Sequence, residues 1–197
     1  MNQLWFRPLV WIDYRLAVLF TVIIPAILLI WSLFAKIESL QKLLIIYWRV
    51  ASLLLITVYL MIASWPIGFV TSFLAKILIP ISLWFWVDIN DEIKDLPASP
   101  IKFVTTAWRW AVTIYSPLGA ISTLPFLSCA MSGELLNSPY CQVWQEAPWQ
   151  FREIFHSEAT ANVLGFFGLV GLSFYTLYFA HFLLIRLGKQ GRSALQQ

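Results

Sequence analysis

Val50–Ala75 reads VASLLLITVYLMIASWPIGFVTSFLA, a run without Asp, Glu, Lys or Arg that carries one turn signal, Trp65-Pro66-Ile67-Gly68. Two readings compete. Either the run is one long tilted membrane span followed by an interfacial piece over Ile77–Val87, or the Pro-Gly break divides the wider stretch Leu43–Val87 into a helical hairpin. The hairpin gives spans at Leu43–Ser64 and Val70–Val87, and we prefer it. It sets Arg49 about two turns inside one helix, where it can snorkel, and Lys76 about two turns inside the next.

Outward from this stretch, Leu16–Phe34, Trp110–Ser132 and Ala159–Ile185 are also free of charge. Each is long enough for a helix, at about 1.5 Å per residue, to cross a hydrocarbon core of about 30 Å. The sequence therefore predicts an all-α, polytopic transmembrane bundle of five spans, at about residues 16–34, 43–64, 70–87, 110–132 and 159–185, forming a single membrane domain over 1–197; four spans is the alternative. Composition agrees: 60% of the 197 residues are hydrophobic and 12% charged, against about 25% charged in soluble domains. The first apolar run is longer than a signal-peptide core and no small-x-small site follows Phe34, so this span is expected to stay in the mature protein.

The net charge of +3 is spread beside the spans, which reads as orientation signal and argues against a nucleic-acid partner. Both span counts put Asp88–Arg109 and the tail after Arg186 in the cytoplasm and Gly133–Glu158 on the other side; only the side of the N-terminus differs. Leu4–Arg15 mixes aromatic, apolar and charged residues, and is expected to lie in the headgroup layer. Pro25 is expected to kink the first span. Pro148 is expected to start a short amphipathic helix with Phe151, Ile154 and Phe155 on one face.

Few residues carry chemistry. Lys76 is costly inside a helix, by about 2.5 to 3.5 kcal/mol at the centre of a span, and is the first candidate for contact with a carboxylate, a lipid headgroup or a substrate; snorkelling at a helix end is the plainer alternative. Ala161, Gly165, Gly168 and Gly171 clear one side of the last span for close packing against another helix, in this chain or in a partner. Cys129 and Cys141 fall on the non-cytoplasmic side, where a disulfide can form; their spacing is not that of a CxxC thiol oxidoreductase. His181, the one histidine within a span, is the candidate pigment or haem ligand, although a histidine near the cytoplasmic interface, one turn before Arg186 and hydrogen-bonded to a neighbour, is the preferred reading. Asp88, Asp91, Glu92 and Asp95 lack the glycine and terminal glutamate of an EF-hand loop, so no metal site is expected. Pro117, Gly119 and Pro125 kink the fourth span or break it at a transport site.

LWFRPLVWIDYRLAVLF at Leu4–Phe20, LLIIYWRVASLLLITVYLMI at Leu43–Ile62 and ILIPISLWFWVDIN at Ile77–Asn90 resemble a family of small cyanobacterial integral membrane proteins of unknown function. The resemblance implies a thylakoid or plasma membrane and no particular activity. With no nucleophile–base pairing in view, the leading expectation is a non-enzymatic accessory or assembly protein of a membrane complex, photosynthetic if the resemblance holds, without a cofactor of its own. The alternative is a small transporter or lipid-interacting protein, motivated by Lys76 and the interrupted fourth span.

Overall fold

The computed structural model describes residues 4–194, and every regular element among them is helical. Five helices are long and apolar enough to cross a membrane: Arg7–Phe34, Glu38–Ile62, Ile67–Trp84, Pro100–Ala130 and Ala161–Lys189, here the first to fifth spans. These are the helices of a multi-pass membrane protein. The run Val50–Ala75 is divided: the second span stops at Ile62, Ser64 takes a left-handed conformation at φ 54°, and the Trp65 N–H closes the turn on Leu60 O at 3.0 Å. Pro66 then opens the third span, where its missing N–H costs nothing.

The segment Leu4–Arg15, expected in the headgroup layer, is helical from Arg7. That helix runs on into the first span, and Asp13 turns inward to Lys76 and Tyr115, partners that make its burial tolerable. Pro25 interrupts the hydrogen-bond ladder of the first span. Its ring removes the bond to the Thr21 carbonyl, the helix loosens into a π-turn over Leu19–Ile23, and the freed oxygen accepts from the Tyr47 hydroxyl at 2.7 Å. One residue earlier, Phe20 O accepts from Trp108 Nε1 at 2.8 Å. The break in the ladder is thereby sealed from two neighbouring spans.

The second and third spans form the central hairpin, with the fourth beside the third, the first against the second and fourth, and the fifth on the outside of the second. Of the most apolar window in each, 50% is buried in the third span and 17% in the fifth, so the fifth is peripheral. The core is layered along the bundle. Leu28, Leu44, Tyr47, Ile79, Leu83, Trp108 and Val112 fill the middle. Leu40, Leu43, Trp86, Ile89, Ile93 and Ile101 close one end, and Met61, Phe69, Leu136 and the two cysteines the other.

The two ends differ in chemistry. At the disulfide end lie the start of the first span, the Ala63–Pro66 turn and the segment Met131–Thr160, joined by Arg7 to Glu146 at 3.0 Å and Ser64 to Gln145 at 2.7 Å. At the basic end lie Lys36, the helix Val87–Asp95 and the tail. The N-terminus therefore shares an end with Gly133–Glu158. Arg192 donates to Phe85 O at 2.8 Å and to Trp84 O at 3.2 Å, covering the last carbonyls of the third span where a cation suits the helix dipole.

Candidate functional site

Lys76 sits about midway along the third span and is buried, at 7% exposed. Its Nζ donates to Asp13 Oδ2 at 2.9 Å and to Gly119 O at 3.3 Å, and lies 5.4 Å from the centre of the Trp144 ring. Asp13 in turn accepts from the Tyr115 hydroxyl at 2.8 Å. Four segments therefore meet on one ion pair: the first, third and fourth spans and the loop carrying Trp144. Gly119 makes room for it, since a Cβ there would stand 3.3 Å from Nζ and 3.4 Å from Asp13 Oδ1. The pair answers why a lysine occurs so deep in hydrocarbon, for its charge is balanced and hydrogen-bonded inside the chain.

A second buried cation lies toward the basic end. Arg109 donates to Leu83 O at 2.8 Å and to Asn90 Oδ1, and stacks 4.0 Å from the Trp84 ring centre. It ties the fourth span to the end of the third and to the helix Val87–Asp95. Guanidinium suits such a place, being planar and weakly hydrated.

Between the second, third and fifth spans a groove of about 230 Å3 opens on the side of the bundle. Its wall is hydrocarbon and aromatic: Ile46, Val50, Leu78, Ile81, Phe179 and Leu183. Arg49 and Arg186 also line it. Arg49 is exposed and holds the Tyr178 hydroxyl at 3.4 Å; Arg186 lies 5.8 Å from the Trp86 ring centre. Tyr175 lines the same groove with a buried hydroxyl that has no hydrogen-bond partner. At the disulfide end a polar cavity of about 650 Å3 is edged by Trp11, Gln145, Glu146, Trp149 and Glu153.

A family model described as proteins of unknown function, DUF3177, matches residues 7–195. The chain belongs to the DUF3177 family. No curated protein and no solved structure matches it. The family match spans all five membrane helices of this DUF3177 chain, and with them both buried cations and the groove.

The remaining sequence candidates fall elsewhere on the DUF3177 bundle. Gly165, Gly168 and Gly171 face the second span: a Cβ on Gly165 would come within 2.4 Å of Ala63 Cβ, on Gly168 within 3.1 Å of Leu60 N, and on Gly171 within 3.2 Å of Ile56 Cγ1. Their partner is in the chain. Cys129 and Cys141 are joined by a disulfide with Cα atoms 6.0 Å apart, tying the end of the fourth span to the loop that presents Trp144. His181 is exposed on the fifth span, far along the chain from either buried cation. Among the described residues no group of three or more His, Cys, Asp or Glu is placed to hold a metal ion. Asp88 instead accepts from its neighbour Ile89 N at 2.9 Å and from Ser193 Oγ at 2.8 Å, and Asp91 pairs with Lys94 at 2.8 Å. The fourth span continues through Pro117, which sits on its exposed side, and tightens to 3₁₀ turns over Leu124–Ala130.

Sequence reasoning missed Asp13 as the partner of Lys76. The signal was present: a lysine deep in a span requires an acid at similar depth, and Asp13 stands in otherwise apolar sequence, Leu9–Phe20, broken only by Arg15 and Tyr14.

Proposed function

We propose that this protein is a non-enzymatic, lipid-interacting membrane protein that holds the acyl chain of a membrane lipid in the groove between its second, third and fifth spans. The groove carries the reading. It is an apolar recess facing hydrocarbon, with polar groups confined to two arginines, two tyrosines, a serine and the indole of Trp86. Other features support it indirectly. The glycine face, the main reason to expect a partner subunit, is taken up by the second span, and the charge of Lys76, the main reason to expect transport, is answered by Asp13. We orient the basic end to the cytoplasm, because Lys36, Lys42, Arg49, Lys94, Lys102, Arg186, Lys189 and Arg192 gather there and the disulfide lies at the opposite end. If the cyanobacterial resemblance carries through, the membrane is a thylakoid or plasma membrane.

The test is photolabelling of the full chain in vesicles with a lipid bearing a diazirine on its acyl chain, followed by peptide mapping. Labels should concentrate on Leu78, Ile81, Phe179 and Leu183, above other exposed positions such as Ile27, Ile114 and Phe174. Even labelling around the bundle would reject a dedicated site.

A further inference from the structure

We infer that the groove selects an anionic lipid, with Arg49 and Arg186 recognising the headgroup and Tyr175 the linkage region below it; this rests on the lipid reading above and adds the class of lipid. Three observations point the same way. The first is charge placement: two guanidiniums line one apolar groove at the end where the chain's cationic residues gather. Arginine is suited to the phosphate or sulfonate of a headgroup, because its planar fork can meet two oxygens at once.

The second is depth. Gly168 against Leu60 and Gly171 against Ile56 fix the antiparallel register of the fifth and second spans. Extended toward the basic end, that register sets Arg49 opposite about residue 179, seven residues or about 10 Å deeper than Arg186. The flexible arginine stem closes this gap, since the Cα–Cβ bond on the second span tilts toward its N-terminus at the basic end, while Arg186 tilts the other way, into the bundle. Arg186 therefore serves the mouth of the groove and Arg49 its upper wall.

The third is the hydroxyl of Tyr175, a residue of the groove wall, covered by the surrounding protein and without a partner. A buried hydroxyl without an acceptor is costly, and a rotation of the Tyr175 side chain that brings it out into the groove would let an ester carbonyl of a lipid whose tail fills the apolar part supply one. An apolar occupant alone would leave that hydroxyl unanswered.

The experiment compares dioleoyl phosphatidylglycerol with dioleoyl phosphatidylcholine, added in equal amounts to the purified full chain in detergent and counted by native mass spectrometry. Each arginine near an anionic headgroup is worth about fivefold in binding, so the wild type should favour phosphatidylglycerol by about twenty-five-fold. R49Q/R186Q should bind the two about equally, yet keep the diazirine label in the groove, which shows that it is folded and still takes a tail. R7Q/R152Q, altered at the disulfide end, should keep the preference. Equal binding by the wild type, or a preference that survives in R49Q/R186Q, would overturn the headgroup assignment while leaving the lipid reading standing. A groove labelled by neither lipid would overturn both.

Discussion

Lys76→Met removes the cation on which the first, third and fourth spans meet, and its consequence can be worked from the geometry. At the 2.9 Å between Nζ and Asp13 Oδ2, two unit charges attract by about 6 kcal/mol at an effective dielectric of about 20. Most of that attraction offsets the cost of taking both charges out of water, so the intact pair is close to neutral against an apolar pair of the same shape. A single removal is different, because the partner's burial is then uncompensated. Breaking buried pairs costs about 3 to 5 kcal/mol; the Asp13 side chain is 20% exposed, which relieves part of this, and we expect about 2 to 4 kcal/mol. Asp13→Asn should cost less than the translocon figure of about 2.5 to 3.5 kcal/mol for lysine inside a span, because Gly119 O still accepts from Nζ. D13N/K76M loses both charges together and should lie within about 1 kcal/mol of the wild type. The assay is reversible unfolding in mixed micelles by titration with a denaturing detergent, followed by tryptophan fluorescence and run as a double-mutant cycle. Additive losses, or a Lys76→Met protein as stable as the wild type, would refute the claim that this pair clasps the first span to the bundle.

Gly165→Leu should destabilise the same protein by about 1 to 3 kcal/mol, because the space beyond its Cα is filled by Ala63 on the second span, while Gly188→Ala, with open space around it, should be neutral or slightly stabilising in unfolding titrations. C129A/C141A should lose about 3 kcal/mol, the value for closing a loop of this length at a sequence separation of 12; a loss near zero would mean that the Arg7–Glu146 and Ser64–Gln145 bonds already hold the loop. Trp5→Cys and Asn137→Cys should react with an impermeant maleimide from one side of sealed vesicles, and Lys36→Cys and Lys94→Cys from the other. Labelling of Trp5→Cys together with Lys94→Cys would reject the five-span arrangement.

The apolar spans were legible because hydrocarbon length and absence of charge are local properties. So was the hairpin, since Trp65-Pro66-Ile67-Gly68 is turn chemistry whatever surrounds it. The start of the first span was not legible. Asp13 and Tyr14 looked interfacial because a charge in isolation belongs near water, and only Lys76 and Tyr115, distant in sequence, make its inward position tolerable. Gly119 shows the same limit: near Pro117 and Pro125 it suggested a broken helix, whereas its missing side chain admits Lys76 Nζ from another span. The glycine stripe reads as a packing face, but sequence could not say which helix it meets. The groove was invisible for a similar reason. Arg49 and Arg186 each read as an orientation charge at a span end, and only the register of the second and fifth spans sets both along one recess.

That the groove holds a lipid is tested by native mass spectrometry of the protein released from its own membrane in mild detergent. The prediction is a protein ion carrying one tightly held anionic lipid, with that adduct much reduced in R49Q/R186Q. A lipid-free ion, or co-migration of the whole population with a larger protein complex and no retained lipid, would contradict it.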